Sequence, residues 1–153
     1  MERRHAPGPT HPAGSISSPP VPDHIFYDGD CGFCHRSVRF LAAHDATGAF
    51  RFAPLGGPTF LGLVPEPARR GLPDSLVIHT ADGRVLVQSA ATLHCLRQLG
   101  GGFRALAWLG SLVPAALLDA GYGAFARNRQ RWFARPQQAC PVPPGPLRAR
   151  LDP

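Results

Sequence analysis

The spacing of apolar side chains predicts a mixture of strands and helices. DHIFY at 23–27 and FRFAPL at 50–55 are short and rich in aromatic or aliphatic residues, which is typical of strands. Between them, CGFCHRSVRFLAAHD at 31–45 repeats its apolar side chains at helical spacing, which predicts a helix that ends by Gly48. The first part of the chain therefore predicts a β–α–β unit.

A hairpin signal follows in the middle of the chain. SLVIHT at 75–80 and RVLVQ at 84–88 flank the Ala-Asp-Gly turn at 81–83, and glycine tolerates the positive φ that a tight turn needs. Ser89 is then predicted to cap the helix AATLHCLRQL at 90–99, which stops at three consecutive glycines.

Two further regions differ in composition. One is rich in glycine and proline, and the other is rich in apolar residues. The stretch 56–73 is predicted to be a loop with a short helix. Two apolar helical stretches, 103–112 and about 115–134, flank Pro114, and the second is predicted to pack one stripe on the core. That stripe comprises Leu118, Tyr122, Phe125, Arg129 and Trp132, with Arg127 and Arg131 beside it.

Composition sets the expected domain limits. Residues 1–22 are rich in Pro, Gly, Ser and His and offer little apolar surface to offset their ordering entropy, so a disordered leader is expected. Residues 141–153 are expected to be a disordered tail for the same reason. One α/β domain over 23–140 remains, including a helical extension at 103–134.

Charge and hydropathy narrow the expected partners and compartment. The net charge is +6 and no lysine is present, but the arginines are mostly scattered, without interleaved aromatics, so no nucleic-acid partner is expected. The most apolar run, 105–118, contains Pro114 and is too short to span a bilayer. No secretory signal is visible, so a cytoplasmic protein is expected, and docking of 103–133 on a lipid surface is an alternative to packing on the sheet.

The stretch YDGDCGFC at 27–34 offers two chemistries. A strand that ends in Asp28-x-Asp30 resembles the opening of a haloacid-dehalogenase-like phosphatase. That chemistry needs a cation beside the transferred phosphoryl group and further acidic metal ligands. The chain contains no lysine, and its later aspartates stand alone, so the carboxylate hypothesis is the weaker one.

The thiols are the stronger candidates. In a reducing compartment, the Cys31-x-x-Cys34 pair is expected to be catalytic or metal-binding rather than a permanent disulfide. At the start of a helix, the Cys31 sulfur faces unpaired N–H groups, which favour the nucleophilic thiolate. Cys34 falls within the apolar arc of the helical wheel and Cys31 at its margin, so Cys31 is predicted to be the accessible attacker and Cys34 the shielded resolving thiol.

The neighbouring residues have open roles. Asp30 is predicted to be the N-cap of this helix. Asp28 has two interpretations, a base that takes the proton of Cys34 or a hydrogen-bond acceptor for the following turn. Cationic His35 or Arg36 would favour the thiolate of the first cysteine.

The two remaining cysteines bear on a rival zinc-binding hypothesis. Cys95 is predicted to be a small buried hydrophobe, and Cys140 a free cysteine or an additional redox thiol. A structural zinc site would combine Cys31 and Cys34 with two of Cys95, Cys140 or a histidine. Such sites usually contain a second close pair of ligands, which this chain lacks.

The motif Asp28-x-x-Cys31-x-x-Cys34 after a short strand resembles the signature of the DCC thiol-disulfide oxidoreductase family. The resemblance continues through FRFAPL, DSLVIHTADGRV, the Ser-Ala-Ala helix start and YGAFARNRQRWF, over roughly 25–140. It implies a thioredoxin-like α/β sandwich that exchanges electrons between its dithiol and a protein or small-molecule thiol or disulfide, without a cofactor or metal. In such folds a cis-proline precedes the third strand, and here Pro73 or the position of Ser75 corresponds to it.

Overall fold

The structure is a computed structural model that describes residues 21–29, 31–73, 76–132 and 147–153, with side chains in the last long helix described as far as Asn128. The elements follow the predicted order of strand, helix, strand, hairpin and helices. They are β1 (Asp23–Tyr27), α1 (Gly32–His44), β2 (Phe50–Pro54), α2 (Pro58–Leu63), α3 (Glu66–Arg69), β3 (Val77–His79), β4 (Val85–Val87), α4 (Gln88–Leu99), α5 (Gly101–Ser111), α6 (Ala115–Trp132) and a 3₁₀ turn (Arg148–Arg150).

The four strands form one mixed sheet in the order β2-β1-β3-β4. β1 and β2 are parallel, with Ile25 opposite Phe52, because α1 carries the chain back over the sheet. β3 is antiparallel to both β1 and β4. This is the predicted β–α–β unit followed by a hairpin, and the α/β, thioredoxin-like fold class with a C-terminal helical part is confirmed.

Both faces of the sheet are covered. Ile25 and Ile78 point towards α1 and α4, where they join a buried cluster with Val38 and Cys95. Their neighbours along the strands point the opposite way, towards α2, in a second cluster that contains Phe26 and Val77. Adjacent strand residues face opposite sides, so consecutive positions are apolar in the middle of the central strands, as at Ile25-Phe26 and Val77-Ile78. The sheet is therefore a two-sided core rather than a half-exposed surface.

The hairpin turn is formed as predicted. Gly83 has φ +83°, in the left-handed region that favours glycine, and its N–H donates to the carbonyl of Thr80 at 2.8 Å.

In the glycine- and proline-rich stretch 56–73, the single short helix expected is replaced by two, α2 and α3. Each begins beside a proline, whose fixed φ suits a first helical turn.

The start of α4 differs from the prediction. β4 leads directly into the helix, Val87 is its N-cap, and Ser89 lies one residue inside its first turn. The hydroxyl and backbone N–H of Ser89 both donate to Oδ1 of Asp119 in α6. The prediction of Ser89 as the cap was wrong because the acceptor for the first turn comes from a helix 30 residues away in sequence.

The end of the chain also differs from the prediction. Residues 147–153, expected to belong to a disordered tail, pack along β2. Leu151 pairs with Phe52, and the carboxylate of Asp152 accepts two hydrogen bonds from the guanidinium of Arg51. Arg150 pairs with the buried Asp45. Composition could not reveal these ion pairs, because their partners lie about 100 residues upstream. The other expected limits, at 22 and 140, stay predictions.

The two C-terminal helices, α5 and α6, both pack against α4 but differ in which side chains they bury. α6 packs against α4 with Leu118, Tyr122 and Phe125 partly buried. α5 also lies against α4, where Gly110 comes so close to Leu93 that a Cβ at position 110 would stand 2.7 Å from its side chain. The rest of α5 is largely exposed. No single helix among residues 21–132 and 147–153 is long and apolar enough to cross a membrane, although α5 and α6 together meet that test across a 112° bend.

Candidate functional site

The candidate site lies at the turn between β1 and α1. The first helical residue is Gly32, and Cys31 is the N-cap, with an extended backbone at φ −100° and ψ 108°. Its Sγ accepts a hydrogen bond from the backbone N–H of Cys34 at 3.4 Å. Asp30 was predicted to hold this capping position, and that prediction was wrong, because the cap lies one residue later. Residue 30 itself lies outside the described residues.

This position has a direct chemical consequence for Cys31. The first N–H groups of a helix have no intrahelical acceptor, and their combined dipole places partial positive charge at the helix start. A thiolate at the N-cap receives that charge together with a hydrogen bond. Sγ of Cys31 therefore lies at the helix start, and the reactive role of this sulfur stays a prediction.

The burial of the pair is more even than the helical wheel predicted. Cys31 is 8% exposed and Cys34 is 3% exposed. Both residues are buried, so the assignment of Cys31 as the accessible attacker and Cys34 as the shielded resolving thiol stays a prediction. The cysteines that the structure describes are free thiols, and the sulfurs of this pair lie near each other but beyond disulfide distance. Exposure alone therefore does not assign the attacking and resolving roles.

Two residues beside the dithiol fix the loop that carries it. Nε2 of His35 donates to the carbonyl oxygen of Gly29 at 2.7 Å, which requires a proton on Nε2 because a carbonyl only accepts. The same ring packs edge-on against Tyr27, with the ring centroids 5.7 Å apart. His35 thus ties the turn between β1 and α1 to the helix that follows it.

Asp28 stands at the end of β1, directly before this turn. Its backbone carbonyl accepts a hydrogen bond from the N–H of Cys31 at 3.3 Å, and its side chain is half-buried. The backbone of Asp28 therefore supports the turn. The role of its carboxylate in proton transfer stays a prediction.

α6 reaches this end of the molecule from the far end of the sequence. Phe125 packs edge-on against Phe33, which lies between the two cysteines, with a centroid separation of 4.8 Å. Tyr122 accepts a hydrogen bond through its hydroxyl from the N–H of Leu76 at 3.4 Å. The sequence predicted that these α6 residues pack on the core but not that they contact the Cys-x-x-Cys segment. The only sign of this in the sequence was that Tyr122 and Phe125 lie about one turn apart on the same side of the predicted helix.

A largely apolar cavity of about 490 Å³ lies between α1, α4 and α6. Cys34 lines it together with Phe33, Phe125 and Leu76, and Arg36 and Thr92 add polar groups. This volume is in the range of small-molecule sites. The candidate resolving thiol therefore faces a space that accepts an apolar group.

Cys95 lines the same cavity from the middle of α4 but has a different environment. It is 3% exposed and belongs to the core, as predicted. Burial, together with the carboxylate of Asp23, raises the pKa of the Cys95 thiol to about 12. At neutral pH this thiol is therefore protonated and unreactive.

The carboxylate of Asp23 was missed by the sequence analysis. It is buried beneath α4, where Nε2 of His94 donates to it at 2.7 Å and Gln98 donates at 3.2 Å. The N–H of Ala81 provides a third hydrogen bond. Burial opposes ionisation, but the hydrogen bonds and the nearby His94 outweigh it and lower the pKa of Asp23. The predicted strand 23–27 gave no sign that its first residue was buried.

The remaining sequence predictions fall partly outside the described residues. Among the residues that the structure covers, no three His, Cys, Asp or Glu side chains converge as a metal site would require. Cys140 and Ser75 lie outside those residues. The described residues contain no cis peptide bond, and the bond between Leu72 and Pro73 is trans.

Comparison with known proteins decides the family. The model of the family described as DCC1-like thiol-disulfide oxidoreductase matches residues 25–135. The chain belongs to this family. It is 31% identical over 143 residues to the uncharacterized protein YuxK of Bacillus subtilis (strain 168). The aligned stretch covers 90% of this chain and 100% of YuxK. The match to a second relative, the chloroplastic DCC family protein At1g52590 of Arabidopsis thaliana, is 27% identical over 72% of this chain and 64% of the relative. No solved structure matches the chain.

Proposed function

We propose that this protein is a thiol-disulfide oxidoreductase whose reactive groups are Cys31 and Cys34. The observation that carries the proposal is the position of Cys31 Sγ at the start of α1, where it accepts a hydrogen bond from the N–H of Cys34. Membership of the family supports the reaction type. The attack is assigned to Cys31 because its sulfur lies at the helix start.

In the proposed reaction, the thiolate of Cys31 attacks one sulfur of a substrate disulfide. A new S–S bond forms to Cys31 while the substrate S–S bond breaks, and the first substrate thiolate leaves and is protonated. Cys34 then loses its proton and attacks Sγ of Cys31, which expels the second substrate thiolate. Two electrons pass to the substrate, and Cys31 and Cys34 become a disulfide. The reverse sequence oxidises a substrate dithiol.

The proton of Cys34 needs an acceptor because this thiol is almost fully buried. We assign that role to Asp28, which stands at the end of β1 next to the turn that carries Cys31. A carboxylate within reach of a resolving thiol acts as a general base. Replacement by Asn keeps the shape and removes the base, so Asp28→Asn should slow resolution while leaving the first attack intact.

The proposed substrate is a thiol or disulfide of a protein or small molecule. The cavity beside Cys34 favours a substrate with an apolar group next to the reacting sulfur, since its walls are mostly aromatic and aliphatic. The proposed compartment is the cytoplasm, where reducing conditions return the dithiol to its active form.

The first experiment separates the roles of the two sulfurs. Cys34→Ser should accumulate a covalent adduct with a disulfide substrate, because Cys31 attacks and nothing resolves the mixed disulfide. Cys31→Ser should trap no adduct. Non-reducing gels and intact-mass spectrometry detect the species after incubation with oxidised glutathione or a denatured disulfide-containing protein. Equal trapping by both variants would refute the role assignment, and no exchange by the unmodified protein would refute the proposed function.

The second experiment gives the direction of electron flow. Equilibration of the 31–34 couple with glutathione or thioredoxin buffers yields its reduction potential. A value near about −270 mV indicates a reductant, and one near about −120 mV indicates an oxidant.

A further inference from the structure

The exposed side of α5 carries several large apolar residues. Trp108 is 62% exposed and Leu112 is 64% exposed, and the exposed apolar residues continue past Pro114 to Leu117. Only Ala107 of α5 is buried. We call this the α5 surface, and its members are Leu106, Trp108, Leu109, Leu112, Val113 and Leu117. Single exposed apolar residues are ordinary, but six adjoining ones, including a tryptophan, mark an interaction site.

The rest of the chain offers little that would cover this surface. Residues 1–20 contain only two large apolar side chains, Met1 and Ile16, among prolines, glycines and serines. The stretch 133–146 contains Phe133 and Val142, separated by prolines and glutamines. Burying six large side chains takes a comparable apolar surface, which neither stretch contains.

The charges along the sequence around the α5 surface are mostly positive. From residue 83 to residue 118 the sequence contains Arg84, Arg97 and Arg104 but no Asp or Glu. Arg84 and Arg97 line a cleft together with Leu112 and Val113, and Arg104 is exposed on α5 itself. Arg84 is paired with Asp82. The next acidic residue along the chain, Asp119, is engaged by Ser89. The apolar surface therefore has a cationic border.

We propose that the α5 surface binds the face of an anionic lipid bilayer. A helix with apolar residues on its exposed side and arginines beside them lies in the plane of the interface, and tryptophan is favoured at that depth. α5 is 11 residues long, about 16 Å, which suits lying on a membrane rather than crossing it. A second copy of this chain is the poorer occupant, because pairing two such surfaces brings their arginine borders together.

The surface is joined to the dithiol through α6. The first turn of this helix contains Leu117 of the α5 surface, and two turns later its Phe125 packs on Phe33 between the two cysteines. A membrane-bound molecule would thus hold its Cys31–Cys34 end at a fixed position relative to the lipid. The binding itself is independent of the proposed redox reaction.

The test is sedimentation of the full chain with vesicles. Vesicles of phosphatidylcholine with about 30% phosphatidylglycerol are compared with phosphatidylcholine alone, at low and at high salt. The patch variant carries Trp108→Gln, Leu109→Gln and Leu112→Gln, which remove apolar surface without changing charge. The matched control is Leu61→Gln, since Leu61 is 51% exposed on α2, away from this surface. Circular dichroism checks that every variant folds.

We expect binding to the anionic vesicles, weakened by salt, with at least about a tenfold loss of affinity in the patch variant and less than about a twofold change in Leu61→Gln. Trp108 fluorescence, read in a Trp132→Phe background, should shift to shorter wavelength with anionic vesicles. Absence of binding overturns the proposal, as does binding that the patch variant retains, which would indicate charge attraction alone. A dimer in sedimentation velocity that the patch variant converts to monomer would show that a second copy covers the surface.

Discussion

The first turn of α1 and the middle of α4 each place a buried cysteine at the same apolar cavity, but the surroundings of the cysteines differ between the two regions. Cys34 and Cys95 both line that cavity, and each is 3% exposed. At the start of α1, however, Cys31 meets a backbone N–H that lacks an intrahelical acceptor. In α4, Cys95 meets apolar side chains and the negative charge of Asp23. Burial is common to both regions, but only at the start of α1 does a cysteine sulfur accept a hydrogen bond from a helix N–H among the described residues.

This comparison separates two uses of cysteine that sequence counts do not distinguish. A thiol at a helix start receives stabilisation of its charged form, whereas a thiol inside a helix, with a carboxylate nearby, is held neutral. The difference arises from where each thiol stands in its helix. It yields three predictions, given in decreasing order of expected effect.

The largest effect is a crossed pattern of activity and stability. Cys31→Ser should abolish disulfide exchange but change the free energy of unfolding by less than about 1 kcal/mol, because serine is a favoured N-cap. Cys95→Ser should retain exchange but lose about 1–3 kcal/mol of stability, because it buries a hydroxyl in an apolar core. Insulin reduction and urea unfolding provide the two readouts. Exchange by Cys31→Ser, or loss of exchange by a folded Cys95→Ser, would contradict the contrast between the regions.

The next effect concerns alkylation rates. With a pKa of about 12, Cys95 should react with iodoacetamide at pH 7.5 at least about 1,000-fold more slowly than an exposed cysteine of ordinary pKa. Cys31 should be the first of the described cysteines to be labelled. Peptide mapping by mass spectrometry assigns each site, including Cys140. Labelling in urea serves as the control, because all thiols become equivalent in the unfolded chain.

The smallest effect is the pH dependence that Asp23 contributes. Its pKa is lowered in the folded protein, so its stabilisation is present above the ordinary value of 3.8 and is lost as the pH falls through the lower folded value. Asp23→Asn should therefore reduce stability at pH 7 by about 1–3 kcal/mol, and its difference from the unmodified protein should shrink below about pH 4. Urea unfolding between pH 2 and pH 7 measures this. Asp82→Asn, at an exposed hairpin position, is the surface control. An equal loss of stability in that variant would contradict the role given to the buried carboxylate of Asp23.

The correct sequence predictions rest on short-range patterns. The Asp-Gly turn, the helical period after Cys34 and the glycine run after Leu99 each depend on fewer than 20 neighbouring residues, so local physics was sufficient. Three of the differences from the prediction have the opposite cause. Asp119 at the start of α4, Asp152 on β2 and His94 on Asp23 are polar contacts between distant parts of the chain. Nothing in the local sequence marks a carboxylate as one of these partners.

The N-cap illustrates the limit of local prediction even at the site. Asp30 and Cys31 are adjacent, and the general preference for Asp at this position favoured the wrong one. The hydrogen bond from the Cys34 N–H to sulfur instead places the reactive atom at the helix start. The sequence correctly brought Cys31 and Cys34 into one helical turn, but it assigned the capping position one residue early.

The sequence by itself determined the order of elements, the family and the pair of cysteines in one turn, because these depend on neighbouring residues and their spacing. Only the tertiary structure decided that both thiols are buried, that α6 contacts the segment between them, and that α5 leaves its apolar side uncovered. These properties depend on which distant surfaces meet. These tertiary contacts are set by the packing of the whole chain rather than by any one stretch of it.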